Sequence, residues 1–231
     1  LYSSAASDVY KRQVPVVLTG SMLPAGAANS DAWPNLFGAM QALHDGVAPG
    51  VHLYFNGALM HGARVSKLSS EAFDAFQVVP RQRQGTRLGE LPAAIDFRQP
   101  RQPVNLLSLP LVPGLRASHL RALLDSGVQG LVLECYGSGT GPSDNAELLE
   151  VLRAAHARGV VLAAISQCAH GHVEFGVYAA GSQLASAGLI SAGGMTREAA
   201  LGKLFALLGA GLAQDEVERL FSLDLCGERV E

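Results

Sequence analysis

Five loops of the sequence could carry chemistry, because each follows a predicted strand and several begin with small hydroxylated or amide residues. In open parallel sheets, ligands bind beyond the carboxyl ends of the strands. Hydroxyl and amide groups both donate and accept hydrogen bonds, so they suit a small polar ligand with amide and carboxylate ends. The alternative is that Gly, Ser and Asn only form turns in these places. The loops span residues 19–30, 56–67, 110–115, 136–144 and 166–175.

The fourth of these loops contains alternating glycines between Tyr136 and Pro142, after a predicted strand and before a predicted helix. The backbone N–H groups of such a loop can cradle an anion. The segment matches neither a G-x-G-x-x-G motif at a helix start nor a P-loop with its Lys-Ser/Thr pair. It therefore indicates nucleotide binding only weakly.

A few ionisable residues in or beside these loops have two readings each. Glu134 ends a predicted buried strand next to Cys135, and it either contacts a ligand or is satisfied by backbone donors. Lys67 is either a solvated surface charge or a buried amine that helps to deprotonate a hydroxyl nucleophile. His170 and His172 have no third ligand at a supporting spacing, which favours an exposed loop over a metal site. We therefore expect no metal and no cofactor.

Alternating strand and helix patterns position these loops. Apolar, β-branched runs separated by amphipathic stretches predict a mostly parallel sheet covered on both faces. Asn56-Gly57 predicts a hairpin turn, and Thr196 predicts a helix N-cap, with Glu198 in the first turn. The predicted strands are 14–19, 51–55, 58–60, 104–109, 130–135 and 160–165. The predicted helices are 31–44, 71–76, 118–126, 145–158, 178–187 and 214–221.

Composition and charge exclude several classes of function. The chain has 231 residues and a formal net charge of -3, so nothing favours nucleic acid or an anionic membrane as partner. No apolar run approaches the length that spans a bilayer. Three distant cysteines without a C-x-x-C motif are typical of free thiols in a reducing, cytoplasmic setting.

The organisation of the chain follows from its composition. Residues 1–13 lack hydrophobic periodicity and are predicted to be a non-native or disordered extension. Residues 81–103, rich in Arg, Gln, Gly and Pro, are predicted to be a linker. Residues 14–80 would then belong to a first domain and residues 104–231 to a second α/β domain.

Several short motifs occur in the order and at the spacing of bacterial type I asparaginases, which the chain resembles over roughly residues 14 to 226. No single motif is unique, but so many in register are hard to obtain by chance. In the first half they are Val16-Val-Leu-Thr-Gly-Ser21, Ser30-Asp31, Asn35-Leu36, Leu53-Tyr-Phe-Asn56, Gly62-Ala-Arg-Val-Ser-Lys67 and Phe73-Asp-Ala-Phe76. In the second half they are Tyr136-Gly-Ser-Gly139, Ser166-Gln-Cys168, Gly176-Val-Tyr178, Gly181 and Met195-Thr196.

This resemblance implies a two-domain α/β asparaginase-like fold with mostly parallel sheets, whose N-terminal domain holds most of the catalytic groups. It implies hydrolysis of L-asparagine to L-aspartate and ammonia without metal or cofactor. A threonine hydroxyl would attack the side-chain amide, while a second threonine, an aspartate and a lysine form a proton relay. Backbone donors would stabilise the oxyanion. The resemblance further implies a homodimer or homotetramer.

The resemblance assigns roles to two residues of the first half. Lys67 matches the relay lysine, and Ser21 matches the substrate-binding position after the Thr-Gly pair. The catalytic threonines and the aspartate belong to family motifs of the T-G-G-T and H-G-T-D-T types, and neither motif occurs in this sequence. The family places both motifs before the strand that begins at Val14. We therefore expect an incomplete N-terminal domain and a chain that is inactive alone.

A possible effector site is implied as well. Some type I members bind asparagine through an arginine before the Tyr-Gly pair together with the Gln-Cys pair. Here Gln167 and Cys168 match, but Glu134 occupies the arginine position. An arginine clamps a carboxylate through two hydrogen bonds whereas a glutamate repels it, so effector binding by that mode is not expected.

Two other functions are compatible with the same fold. The chain could be a catalytically inactive amino-acid-binding module, or a regulatory or oligomerisation module. It could also be an asparaginase-like subunit of a tRNA-dependent amidotransferase, although the extra domains of such subunits are not visible in the sequence.

Overall fold

The computed structural model describes residues 14–78, 95, 101–142 and 145–229. The predicted extension, 1–13, and most of the predicted linker, 81–103, lie outside these ranges. The first half contains β1 (Pro15–Leu18), α1 (Ala32–His44), β2 (Gly50–Phe55), β3 (Ala58–His61), β4 (Val65–Lys67) and β5 (Phe76–Val78). The second half contains β6 (Leu106–Pro110), α2 (Ala117–Leu124), β7 (Gly130–Cys135), α3 (Ala146–Ala157), β8 (Val161–Ser166), α4 (Ala179–Ser186), β9 (Leu189–Ser191), α5 (Arg197–Gly209) and α6 (Gln214–Phe221).

The second half is built on a parallel sheet of four strands in the order β6-β7-β8-β9. Alternate residues of β7 enter two different cores, because successive side chains of a strand point to opposite faces. Val132 packs in the cluster with α5 and α6, whereas Leu131 and Leu133 pack in the cluster with α2 and α3. The sheet is therefore covered by helices on both faces, as the continuous apolar runs predicted.

The first half contains two small sheets. In the larger one, β1 and β2 are parallel, and β3 returns antiparallel to β2. Asn56 and Gly57 both have positive φ, 47° and 77°, which is the geometry of a type I′ hairpin turn. This confirms the turn that the dipeptide predicts. Strands β4 and β5 form a separate antiparallel pair, in which Lys67 lies opposite Phe76.

The predicted helix at residues 71–76 is wrong. Phe76 begins strand β5, and the backbone N–H groups of Leu68 and Ser69 both donate to the Ala75 carbonyl, at 2.8 and 3.3 Å. These bonds close the connection between β4 and β5 as a loop, so the ladder with β4 overrides the local helix pattern. The short strand β9 was not predicted.

Helix capping agrees with the sequence pattern in the second half. The Asn145 side chain accepts from Leu148 N at the start of α3, and Thr196 Oγ1 accepts from Ala199 N at the start of α5. Both caps satisfy backbone donors that have no partner within the helix. The apolar side of helix α1 would be expected to face a core, but it is exposed. The buried residues of this helix are Asn35 and Ala39, and the exposed apolar ones are Leu36, Phe37, Met40 and Leu43. No helix within the described ranges is both long and apolar enough to cross a bilayer.

Candidate active site

Lys67 and Ser21 line one cavity of about 150 Å³. The family resemblance assigns a catalytic role to Lys67 and a substrate-binding role to Ser21. The cavity lies at the carboxyl ends of β1 and β2, where a parallel pair of strands places its ligand. The two residues are far apart in the chain. They meet because the chain turns back through the β2–β3 hairpin before β4 begins. The lining residues are Thr19, Gly20, Ser21, Met22, Leu53, Phe55, Lys67 and Phe76.

The loop that carries Ser21 is held by the Asp31 carboxylate. Its oxygens accept from the backbone N–H of Met22 at 3.0 and 2.9 Å and from that of Leu23 at 3.0 Å. Asn35 Nδ2 adds a bond of 3.1 Å to the same carboxylate. Burial alone would raise the pKa of Asp31, but these donors outweigh it and hold the pKa below its usual value. The charged carboxylate therefore fixes the backbone that follows Ser21.

Asn35 ties this loop to the neighbouring strand. Its amide nitrogen donates to the Gly20 carbonyl at 2.9 Å, and its amide oxygen accepts from Asn56 N at 2.9 Å. The side chain is only 1% exposed, so both backbone groups depend on it. Asn35 therefore sets the spacing between the ends of β1 and β2. The sequence singled out Asp31 and Asn35 only as parts of a family motif, and their network explains why that spacing is needed.

Lys67 is an exposed side chain at the end of β4. Its Nζ lies 5.7 Å from the centroid of the Phe76 ring, in the geometry of a cation–π contact. The cavity wall thus contains a cation in contact with an aromatic face, beside the hydroxyl groups of Thr19 and Ser21. Thr19 Oγ1 donates to the Tyr54 carbonyl at 2.8 Å, which orients that hydroxyl along the strand end.

Glu134, Gln167 and Cys168, the residues of the possible effector site, line a second cavity of about 190 Å³. Gln167 Nε2 donates to the Leu111 and Glu134 carbonyls at 2.7 and 2.8 Å, which crosslinks the ends of β6, β7 and β8. Four further polar residues of this cavity belong to β4 and to the start of α5, and the sequence did not place them at the possible effector site. They are Ser66, Thr196, Arg197 and Glu198. Lys67 lines both cavities.

Glu134 is satisfied by side chains, not by backbone donors, so that sequence-based alternative is wrong. The Arg197 guanidinium donates from Nε and Nη2 to the two carboxylate oxygens at 2.7 and 2.5 Å. Ser108 Oγ donates to Oε1 at 2.9 Å. The glutamate is 4% exposed, whereas about half of the Arg197 side chain is exposed. The position where some type I asparaginases carry an arginine therefore holds an acid, and an arginine from another element neutralises it.

The glycine-rich segment forms a closed turn. Tyr136 and Thr140 form a bridge, and the N–H groups of Gly139 and Thr140 both donate to the Tyr136 carbonyl, at 3.0 and 2.9 Å. Those donors are used within the turn, so they do not form an anion cradle. His172 Nε2 lies 3.2 Å from Glu174 Oε2. Within the described ranges, no group of three His, Cys, Asp or Glu side chains could hold a metal ion.

Comparisons with known proteins define the class. The family description "Asparaginase, N-terminal" matches residues 2–99, and "Glutaminase/Asparaginase C-terminal domain" matches residues 105–221. The chain is 38% identical over 230 residues to the human 60 kDa lysophospholipase, covering 94% of this chain and 39% of that protein. It is 35% identical over 226 residues to L-asparaginase 1 of Escherichia coli, covering 93% of this chain and 66% of that enzyme.

The fold comparison agrees. The thermostable L-asparaginase from Thermococcus kodakarensis superposes with a TM-score of 0.86 at 33% identity, covering 100% of this chain and 73% of that structure. The chain belongs to the asparaginase/glutaminase family, whose solved relatives have the two-domain α/β fold. It spans only about two thirds or less of the length of the human and Escherichia coli relatives.

Proposed function

We propose that this chain takes part in the hydrolysis of L-asparagine to L-aspartate and ammonia. The observation that carries this proposal is the shared cavity of Ser21 and Lys67 at the carboxyl ends of β1 and β2. Family membership supports amide hydrolysis in general. The residues themselves support a site for a small ligand that has amide and carboxylate ends.

In the proposed mechanism, a threonine hydroxyl attacks the side-chain amide carbon and the C–N bond breaks. The nitrogen leaves as ammonia after it gains a proton, and water then hydrolyses the acyl ester to release aspartate. Lys67 belongs to the relay that moves protons between the threonine and the leaving group. Ser21 binds the substrate through its hydroxyl and its backbone, in the loop that Asp31 holds.

The threonines and the aspartate of this mechanism are not among the 231 residues, because the family motifs that carry them do not occur in the sequence. We therefore propose that groups outside these 231 residues supply them. We also propose a cytoplasmic setting and a homodimeric or homotetrameric assembly. The three cysteines are thiols, two of them buried, which supports a reducing compartment.

Complementation tests the function directly. The part of the Thermococcus kodakarensis enzyme that this chain does not cover is co-expressed with the chain as a separate polypeptide. We expect ammonia release from asparagine only when both are present, and a loss of at least about 100-fold in the Lys67→Met variant. The matched control is Arg153→Met, which removes an exposed cation on α3 and leaves turnover unchanged.

The alternative function is a catalytically inactive amino-acid-binding or regulatory module. Calorimetric binding of asparagine to the chain, with no ammonia in any combination, would favour that alternative. Turnover of the unassisted chain at the rate of a complete asparaginase would contradict the proposal that the nucleophile lies outside these 231 residues.

A further inference from the structure

The strand that carries Lys67 has little support of its own. Strand β4 has three residues, and among the described residues it pairs only with the three-residue strand β5. A two-stranded pair of this length is at best marginally stable by itself. Packing of Val65 in the apolar cluster of the first half is one support from outside the pair, and contacts with the second half provide others.

The first of these contacts comes from near the end of the described chain. Arg64, next to β4, donates from Nε to the Gly227 carbonyl at 2.5 Å. Gly227 also lies close to the His61 imidazole, since a Cβ atom at this glycine would be 3.5 Å from His61 Nε2. Ala63, one residue before Arg64, is 2% exposed and packs in the core cluster of α5 and α6. The segment that leads into β4 is thus seated on the second half of the molecule.

The second contact comes from the first turn of α5. Ser66 Oγ, in the middle of β4, donates to Glu198 Oε2 at 3.0 Å. Because side chains alternate along a strand, Ser66 points to the face opposite that of Val65 and Lys67. The bond therefore anchors β4 one residue before Lys67, in the cavity that both residues line. Glu198 is well placed as the acceptor, since a carboxylate is favoured at a helix N-terminus.

The turn that receives Arg64 is itself locked by buried charges. We call residues 224–228 the clasp turn. The Glu228 carboxylate accepts from Leu225 N and Cys226 N, at 3.0 and 2.6 Å, and from Lys203 Nζ at 2.6 Å. Lys203 and Glu228 are 1% and 2% exposed, and Lys203 Nζ also donates to the Leu223 carbonyl. The turn that carries the Gly227 carbonyl is therefore fixed to α5, and this carbonyl accepts the hydrogen bond from Arg64.

We propose that Glu198 and the clasp turn are positioning groups for Lys67, acting through Ser66 and Arg64 respectively. This inference rests on the proposed role of Lys67 in the relay. The second half of the molecule then contributes to the candidate active site of the same chain without placing a side chain on the substrate. Neither group is expected to touch the reacting atoms.

Hydrogen exchange of the β4 amides in the full 231-residue chain tests this proposal. We expect Ser66→Ala, Glu198→Ala and Arg64→Ala each to speed exchange at residues 65–67 by roughly three- to tenfold, as the loss of one net hydrogen bond predicts. Glu198→Gln retains an acceptor for the Ser66 hydroxyl and should restore most of the protection. The Lys67 side-chain resonance should shift in the three alanine variants and return towards its original position in Glu198→Gln.

The controls separate positioning from general destabilisation. Arg219→Ala removes an exposed ion pair on α6 and should leave β4 exchange unchanged. Protection of the buried strand β7 reports whether each variant keeps its core. Unchanged exchange and an unshifted Lys67 resonance in Glu198→Ala and Arg64→Ala would overturn the proposal. These measurements do not require enzymatic turnover. A failure of the complementation experiment would therefore count against the proposed function and not against the positioning of Lys67.

Discussion

Glu134 depends on a residue 63 positions later in the chain. Its carboxylate is almost fully buried, and the Arg197 guanidinium matches both oxygens in the two-pronged geometry that suits a carboxylate. A ligand carboxylate that entered this cavity would meet a guanidinium that is already paired. Glu134 replaces the arginine that some type I asparaginases use for effector binding. That effector binding by this mode does not occur here stays a prediction, and the pairing of Glu134 with Arg197 agrees with it.

Arg197→Ala should destabilise the protein by roughly 2 kcal/mol, because it leaves the buried Glu134 charge with only the Ser108 hydroxyl. The half-exposed position of Arg197 lets water reach the site and keeps the cost below that of a fully buried pair. Urea unfolding measures the change in free energy.

The comparison for this variant is Arg158→Ala, whose ion pair with Asp125 is exposed on both sides. We expect a change within about 0.5 kcal/mol for this control. Equal effects of the two substitutions would show that Glu134 does not rely on Arg197.

Among the elements, the end of β1 and the start of α1 form one unit through Asn35. Asn35→Ala should cost roughly 2–3 kcal/mol, since the Gly20 carbonyl and the Asn56 N–H both lose their side-chain partner in a buried place. Urea unfolding gives the magnitude. Gln41→Ala in the same helix removes an exposed bond to Asp45 and should have little effect. A loss of the same size in Gln41→Ala would show that the cost is not specific to the buried hydrogen bonds of Asn35.

The clasp turn predicts a pH dependence. Burial, together with the neighbouring Glu228 carboxylate, raises the pKa of Asp224 to about 6. The folded protein then binds a proton at Asp224 between about pH 4 and 6 that the unfolded chain does not bind. The stability from this group is full below about pH 4 and is lost as pH rises through 6. Glu228 acts in a different window: burial alone would raise its pKa, but Lys203 lowers it, so its contribution is lost only in acid.

Asp224→Asn mimics the protonated form and keeps an acceptor for Gly227 N. We expect the variant to gain on the order of 1–2 kcal/mol relative to the parent between pH 5 and pH 7.5. Urea unfolding of both proteins at the two pH values gives the difference. Parallel pH profiles for the two proteins would argue against titration of Asp224 in this range.

The sequence correctly predicted those elements that are determined by residues close together in the chain. The apolar run of β7, the Thr196 cap of α5 and the Asn56-Gly57 turn were all predicted correctly. The predicted helix at 71–76 failed because Phe76 pairs with Lys67 across a ladder that a local window does not show. Of the site, Ser21 and Lys67 were assigned through family spacing. Arg197 and Glu198 were missed as site residues, because their partners lie 63 and 132 positions away.

At the scale of the whole molecule, α1 exposes an apolar side. Trp33, Phe37 and Met40 are 53%, 61% and 57% exposed, and the rings of Trp33 and Phe37 stack at 6.2 Å. Leu18 at the end of β1 and Val14 just before this strand are also exposed. Contiguous apolar surface of this kind favours association with another surface.

The double variant Phe37→Lys, Met40→Lys should raise the monodisperse fraction in size-exclusion chromatography with light scattering. Its free energy of unfolding should stay within about 1 kcal/mol of the parent, because neither side chain is buried. Ala39→Lys in the same helix is the control, since Ala39 is buried and a charge there should destabilise the fold. An unchanged aggregation state in the double variant would locate the association elsewhere.

The clasp turn also sets an order of events during synthesis. Gly227 lies 163 residues after Arg64, so a ribosome that adds about 5–20 residues per second finishes β4 roughly 10–30 s before its clasp exists. During that interval β4 can pair with β5 and pack Val65 against Leu53 and Phe55, but it lacks the contact with Gly227. The candidate active site of the first half is thus completed by residues made much later, and a nascent chain stalled before them would expose to chaperones a hairpin that lacks this contact.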